Sequence, residues 1–172
     1  MKKLIPLLLA VVLITSCEDN EIPVTLTASS AITESVAVSI PQTSGTSVAY
    51  DETVTQDLTE VISNFSDVTD ITINSLSYQY KNVTGNTDAV LESVTITING
   101  SSISSVSSVN IAQEANNGTV FSITDQAVLD QLESLFLNNA SLDIQFAGTA
   151  ISDAGAVSFD IEFSVNLTVT LN

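Results

Sequence analysis

Residues able to do chemistry are few in this chain. Cys17 is the single thiol, histidine is absent, and Lys81 is the only cation besides Lys2 and Lys3. Without histidine there is no imidazole base, no His-containing triad and no imidazole metal ligand. Lys81, beside Tyr80, could activate a serine in principle, but a lone lysine at the end of an alternating run reads as a solvated charge. The 20 carboxylates are numerous enough to include the acid/base pair of a glycosidase. None stands in a recognisable motif, however, and with no tryptophan only Tyr50, Tyr78 and Tyr80 offer a surface for sugar stacking. Hard cations need several oxygen ligands. Asn82 to Asp88, Asp67 with Asp70, and Ser152-Asp153 could supply them, but none has the spacing of an EF-hand or a calcium-binding repeat. Asn, Asp and Gly serve turn geometry equally well. The expectation is therefore no catalytic residue, no metal site and no cofactor: a protein that is not an enzyme.

Cys17 has the most telling surroundings. Met1-Lys2-Lys3 supplies a positive start, Leu4 to Ile14 is almost wholly apolar, and Thr15-Ser16 puts two small residues before the thiol. An apolar run of about eleven residues spans roughly 16 Å as a helix, too short for a hydrocarbon core of about 30 Å. A basic start, a short apolar run and small residues form the pattern of a cleaved secretory signal. Ile14-Thr15-Ser16-Cys17 resembles the lipobox of bacterial lipoproteins: an aliphatic residue, two small residues, then cysteine. The resemblance covers only the first twenty or so residues. It implies that residues 1–16 are removed and that Cys17 becomes the new N-terminus, carrying a diacylglyceryl thioether and further acyl (palmitate-type) chains. One acyl chain holds only marginally at about 0.8 kcal/mol per buried methylene, whereas two or three make the anchor lasting. Glu18, Asp19 and Glu21 follow at once. That acidic stretch is similar to the export signal of Bacteroidota-type surface lipoproteins, which implies display on the outer face of the outer membrane. The periplasmic face is the alternative, with the carboxylates then a solvated tether.

Removing residues 1–16 takes away Lys2 and Lys3. Lys81 then stands against 20 carboxylates, a formal side-chain charge of −19. Such a chain cannot neutralise phosphates, so nucleic acid is excluded as a partner, and anionic membrane surfaces should repel it. With one cation, salt bridges contribute little, and packing with backbone hydrogen bonding must hold the fold. With its single cysteine acylated, the mature chain has no disulfide. Six Asn-x-Ser/Thr triplets occur, at Asn64, Asn82, Asn99, Asn117, Asn139 and Asn166, about what so Asn-, Ser- and Thr-rich a composition gives.

The elements that must position these residues read mainly as strands. From Val157 to Leu171 every second residue is apolar and the residues between are polar, the pattern of a strand with one dry face. Ile71, Ile73, Leu76, Tyr78 and Tyr80 predict another, with a bulge near Asn74-Ser75. Val94, Ile96 and Ile98 predict a third, ended by Asn99-Gly100, and Leu142, Ile144 and Phe146 a fourth, ended near Gly148. Val24 with Leu26, and Val36 with Val38 and Ile40, predict two more. Two segments have helical spacing instead: Val54, Leu58, Val61, Ile62 and Phe65; and Ala127, Val128, Leu129, Leu132, Leu135 and Phe136, with Thr124 as N-cap.

A shift of 71 residues lays Leu58 on Leu129, Val61 on Leu132, Phe65 on Phe136, Ile71 on Leu142 and Ile73 on Ile144. A shift of 67 lays Val90 on Val157, Val94 on Ile161, Ile96 on Phe163 and Ile98 on Val165. The pattern predicts an internal duplication, two helix–hairpin units at about 54–98 and 125–166. The expected organisation is a signal peptide (1–16), an acidic lipidated tether (17–23) and one β-rich domain (24–172). The expected fold class is mainly β: an antiparallel β-sandwich, or a curved sheet, with two short amphipathic helices. Three functions fit. One is a lipid-anchored outer-membrane or surface module, non-enzymatic, binding a protein or glycan. A second is a carrier of an apolar ligand between sheet and helices. The third is a hydrolase whose carboxylates cannot be picked out.

Overall fold

A computed structural model describes residues 26–58 and 68–171. In chain order its elements are β1 (Leu26–Ile40), β2 (Val48–Asp57), β3 (Val68–Gly85), β4 (Val90–Ile98), β5 (Ser101–Asn110), α1 (Ile111–Asn117), β6 (Phe121–Ile123), α2 (Gln126–Asn138), β7 (Ser141–Ile151) and β8 (Val157–Leu171). They form two four-stranded sheets, ordered β1-β8-β3-β6 and β2-β7-β4-β5. Every pairing is antiparallel. The inner faces share one hydrophobic core, so the fold is a β-sandwich with short helices rather than a single curved sheet.

The alternating patterns explain which face each strand buries. Along β8, Val157, Phe159, Ile161, Phe163, Val165, Leu167 and Val169 are all buried. β3 has the expected bulge between Ile73 and Ser75, with further register shifts at Val68/Asp70 and Lys81/Thr84. β4 turns at Asn99 (φ 47°) and Gly100 (φ 78°) directly into β5. Two successive left-handed residues are what a tight type I′ hairpin needs, and Asn-Gly meets that need.

Several expectations require correction. Residues 54–57 continue β2 rather than opening a helix, because Val54 to Asp57 pair with β7. Leu58 is buried, while Val61, Ile62 and Phe65 lie outside the described residues. A helix that the apolar spacing did not predict, α1, interrupts the segment from Ile103 to Ile123. Asn110 caps that helix through its side chain and Gly118 closes it in the left-handed conformation. Leu26 and Ile40 belong to one strand, not two, because β8 supplies partners along the whole of β1; Val24 lies outside the described residues. Gly148 does not end its strand but sits within β7. For α2 the N-cap is Asp125, not Thr124, since Asp125 Oδ1 accepts from the N–H groups of Ala127 and Val128.

The last correction concerns the supposed hairpins. β3 and β4 do not pair, nor do β7 and β8; each pair crosses from one sheet to the other. β8 is already flanked by β1 and β3, and β4 by β7 and β5, so no edge is left for a hairpin. A two-fold correspondence nevertheless runs through the topology. Exchanging β1, β2, β3 and β4 with β5, β6, β7 and β8 converts β1-β8-β3-β6 into β5-β4-β7-β2, which is the other sheet read from its far end. The ladders agree: Leu76–Val165, Tyr78–Phe163 and Tyr80–Ile161 correspond to Ile144–Ile98, Phe146–Ile96 and Gly148–Val94. Here β4 matches β8 at an offset of 67, as in the sequence, whereas β3 past its bulge matches β7 at 68. An offset of 71 would lay buried Tyr78 on half-exposed Thr149.

Candidate functional site

The sequence-predicted residues of the anchor, Cys17, Glu18, Asp19 and Glu21, lie outside the described residues. The chain enters the described fold at Leu26, opposite Leu171, and β1 ends at Ile40, opposite Val157. The start of β1 and the end of β8 thus share one end of the sandwich. At about 3.3 Å per residue, the 15 residues of β1 carry the chain about 50 Å to the other end.

That far end collects three crossovers between the sheets, the loops 41–47, 86–89 and 152–156, and two of the oxygen-rich segments singled out from the sequence meet there. Asp153 Oδ1 accepts from Thr43 Oγ1 at 2.6 Å and from the Gly45 N–H at 2.8 Å. The Ser152 N–H donates to Thr43 Oγ1 at 2.9 Å, and the Thr43 N–H donates to the Ser152 carbonyl at 3.1 Å. Ser152 Oγ donates to the Gly155 carbonyl at 2.6 Å and accepts from Asn86 Nδ2 at 3.0 Å. Asn86 Oδ1 accepts from the Asp88 N–H, and the Asn86 N–H donates to the Ala156 carbonyl. Ser152 is fully buried and Thr43 nearly so. Thr43 was not foreseen from the sequence; an isolated threonine in a polar loop carries no signal of its own.

These side chains bond to one another. The two donors on Asp153 hold its carboxyl below the usual carboxylate range, that of Thr43 contributing most. Ser152 is buried with its proton committed to a carbonyl, which is a structural arrangement and not that of an activated nucleophile. Among the described residues no three Asp, Glu, His or Cys side chains come together to hold a metal ion. Asp70 is exposed at the start of β3, and Asp67 lies outside the described residues. The polar knot joins three loops at this end of the sandwich.

Lys81 lies on the outer face of the first sheet. Its ammonium pairs with Glu162 Oε1 at 3.4 Å, and the same oxygen accepts from Gln79 Nε2 at 3.0 Å. Asp160 Oδ2 accepts from Asn82 Nδ2 at 2.6 Å. Lys81 thus serves a carboxylate on the neighbouring strand, the role of a solvated charge.

The three tyrosines point inward instead of forming a sugar platform. Tyr78 and Tyr80 are buried and belong to one aromatic cluster with Phe121, Phe159 and Phe163; Tyr78 stacks on Phe121 with centroids 4.9 Å apart. Burial pushes both phenols up. Neither hydroxyl closes a hydrogen bond among the described residues. Tyr50 differs, because its hydroxyl donates to the Ser93 carbonyl at 2.7 Å. No protein-family model matches the chain, and no curated protein or solved structure matches it.

Proposed function

We propose that this protein is a lipid-anchored outer-membrane lipoprotein displayed at the cell surface, and that it works as a non-enzymatic binding or structural module for a protein or glycan partner. The observation that carries this reading is Ile14-Thr15-Ser16-Cys17 followed by Glu18, Asp19 and Glu21. Between Cys17 and the first strand lie only the residues from Glu18 to Thr25. Eight residues reach roughly 30 Å when extended, so the tether can hold the sandwich just clear of a lipid surface. β1 then runs away from the anchor, and the knotted loops become the outward tip. The carrier reading has less support: Leu129, Leu132 and Phe136 of α2 are buried in the same hydrophobic core as the inner faces of the sheets.

Protease shaving of intact cells tests display. The wild-type protein should be cleaved from whole cells. The variant with Glu18→Gln, Asp19→Asn and Glu21→Gln should be protected until the outer membrane is opened. A wild-type protein that resists shaving in intact cells but is cleaved after lysis would place it on the periplasmic face.

A further inference from the structure

We propose that the outer edge of β1 is a docking strand for an extended, basic polypeptide segment, which adds to the β1-β8-β3-β6 sheet as a further strand. The inference deepens the binding-module reading and rests on it. A sheet edge presents unpaired N–H and C=O groups, and proteins usually blunt it with charge, bulges, short strands or covering elements. Three of the edges here are blunted. β2 carries Asp51, Glu52 and Asp57. β5 is broken by a register shift opposite Ile96/Thr97 and by Ser108 at φ 58°. β6 is only 3 residues long, and beyond it Glu133 of α2 accepts from the Ile73 N–H on the outer edge of β3 at 2.8 Å.

Among the described residues β1 has only one of these devices, the inward-side charge of Glu34, and none from Ser35 to Ile40. Its pairing with β8 runs from Leu26–Leu171 to Ile40–Val157 without a register shift. It contains no proline and no lysine, and its one charge, Glu34, lies opposite inward-facing Phe163. Its outward residues Ala31, Thr33, Ser35, Ala37 and Ser39 are small and exposed.

Charge identifies the partner. Ser35 lies opposite Glu162 and Ala37 opposite Asp160. Lys81 and Asn82 meet these carboxylates from the β3 side, while from the β1 side only the short side chains of Ser35 and Ala37 intervene. A strand added to β1 would run about 10 Å from β8, within reach of lysine or arginine side chains across that trough. Its alternate residues would repeat at the same interval as Asp160 and Glu162. The formal charge of −19 on the mature chain opposes a second copy in this position and favours a cationic segment. Main-chain hydrogen bonds would supply affinity, and the two carboxylates would fix the register.

The test uses the full-length lipidated protein in neutral detergent micelles and a ten-residue peptide in which valine alternates with lysine and threonine. Amide hydrogen exchange should show new protection in β1 on adding the peptide. N-methylation of one alternate set of peptide amides should abolish binding, while the other set tolerates it. Asp160→Asn with Glu162→Gln should weaken binding about tenfold, as expected for two exposed ion pairs, and a glutamate-for-lysine peptide should not bind. Protection that falls in β2, or equal binding of both N-methylated peptides, would overturn the proposal; so would β1 protection that rises with protein concentration alone. If the protein enriches a partner or glycan while β1 stays unprotected, the binding-module reading stands and this docking edge does not.

Discussion

Tyr50 of β2 donates its hydroxyl to the carbonyl of Ser93 on β4, 2.7 Å away, by passing over the intervening strand β7 at Gly148. A Cβ on Gly148 would stand 2.0 Å from the Ser93 oxygen and 2.5 Å from the Tyr50 hydroxyl. Glycine is therefore required here by close approach, and the ring covers the strand that lacks a side chain. The hydroxyl lies where β4 slips register between Leu91 and Ser93, so it gives a carbonyl at an irregular point of the ladder a partner inside the sandwich.

Gly148→Ala should be strongly destabilising. Its Cβ meets backbone, which cannot swing aside, so a loss of about 3 kcal/mol is expected. Urea denaturation of the purified protein gives the number. A loss under about 0.5 kcal/mol would mean that Tyr50 does not cross β7 as described.

The tyrosines should separate by partner. Tyr50→Phe removes a made hydrogen bond and leaves the Ser93 carbonyl unsatisfied, at a cost of about 1–2 kcal/mol. Tyr80→Phe removes a buried hydroxyl with no partner among the described residues, and should be neutral or stabilising by up to about 1 kcal/mol. Equilibrium denaturation of the two variants side by side tests the contrast; equal losses would refute it.

The Asp153 knot predicts a pH dependence of definite sign. Its carboxyl is held low in the folded state. Its stabilising contribution is therefore present above the unfolded aspartate range near pH 3.9 and is lost as pH falls through the lower folded value. Asp153→Asn should be less stable than wild type at neutral pH, and the difference should close in acid. Comparing the two proteins at each pH cancels the changing self-repulsion of so acidic a chain. A gap that widens in acid would contradict the assignment.

Glu133→Ala should expose the Ile73 N–H on the outer edge of β3. Amide exchange at Ile73 should accelerate, with a global loss of about 1 kcal/mol, and Glu133→Gln should recover most of it because the amide oxygen still accepts. Unchanged exchange at Ile73 in the alanine variant would show that another group covers that edge.

Much of the sandwich is written in local alternation, which is why β8, the β3 bulge and the Asn99-Gly100 turn could be read from sequence. These features depend on residues two or three apart. From sequence Gly148 reads as a strand end, because its reason for being glycine lies on β2 and β4, far away in sequence. α1 escaped notice because seven residues between strand-like segments make too short a helical period, though Asn110 and Gly118 are caps in retrospect. The two-fold match of apolar spacing was visible, but pairing partners were not: alternation gives a strand its inner face and says nothing of which edge it meets. Of the site, the polar segments around Asn86 and Ser152-Asp153 were legible as oxygen-rich loops. Their convergence on Thr43 depends on topology.

The proposed function rests on a lipid tether between Cys17 and a membrane. Its most direct test is the partition of the full-length chain and its Cys17→Ala variant between washed membranes and the soluble fraction, with intact mass of the mature N-terminus. Wild type should lie in the membrane pellet with an acylated Cys17 as its first residue. The variant should lie in the soluble fraction with its β-rich circular dichroism retained. A folded Cys17→Ala protein that stays with the membranes, or a wild-type protein whose Cys17 carries no lipid, would contradict it.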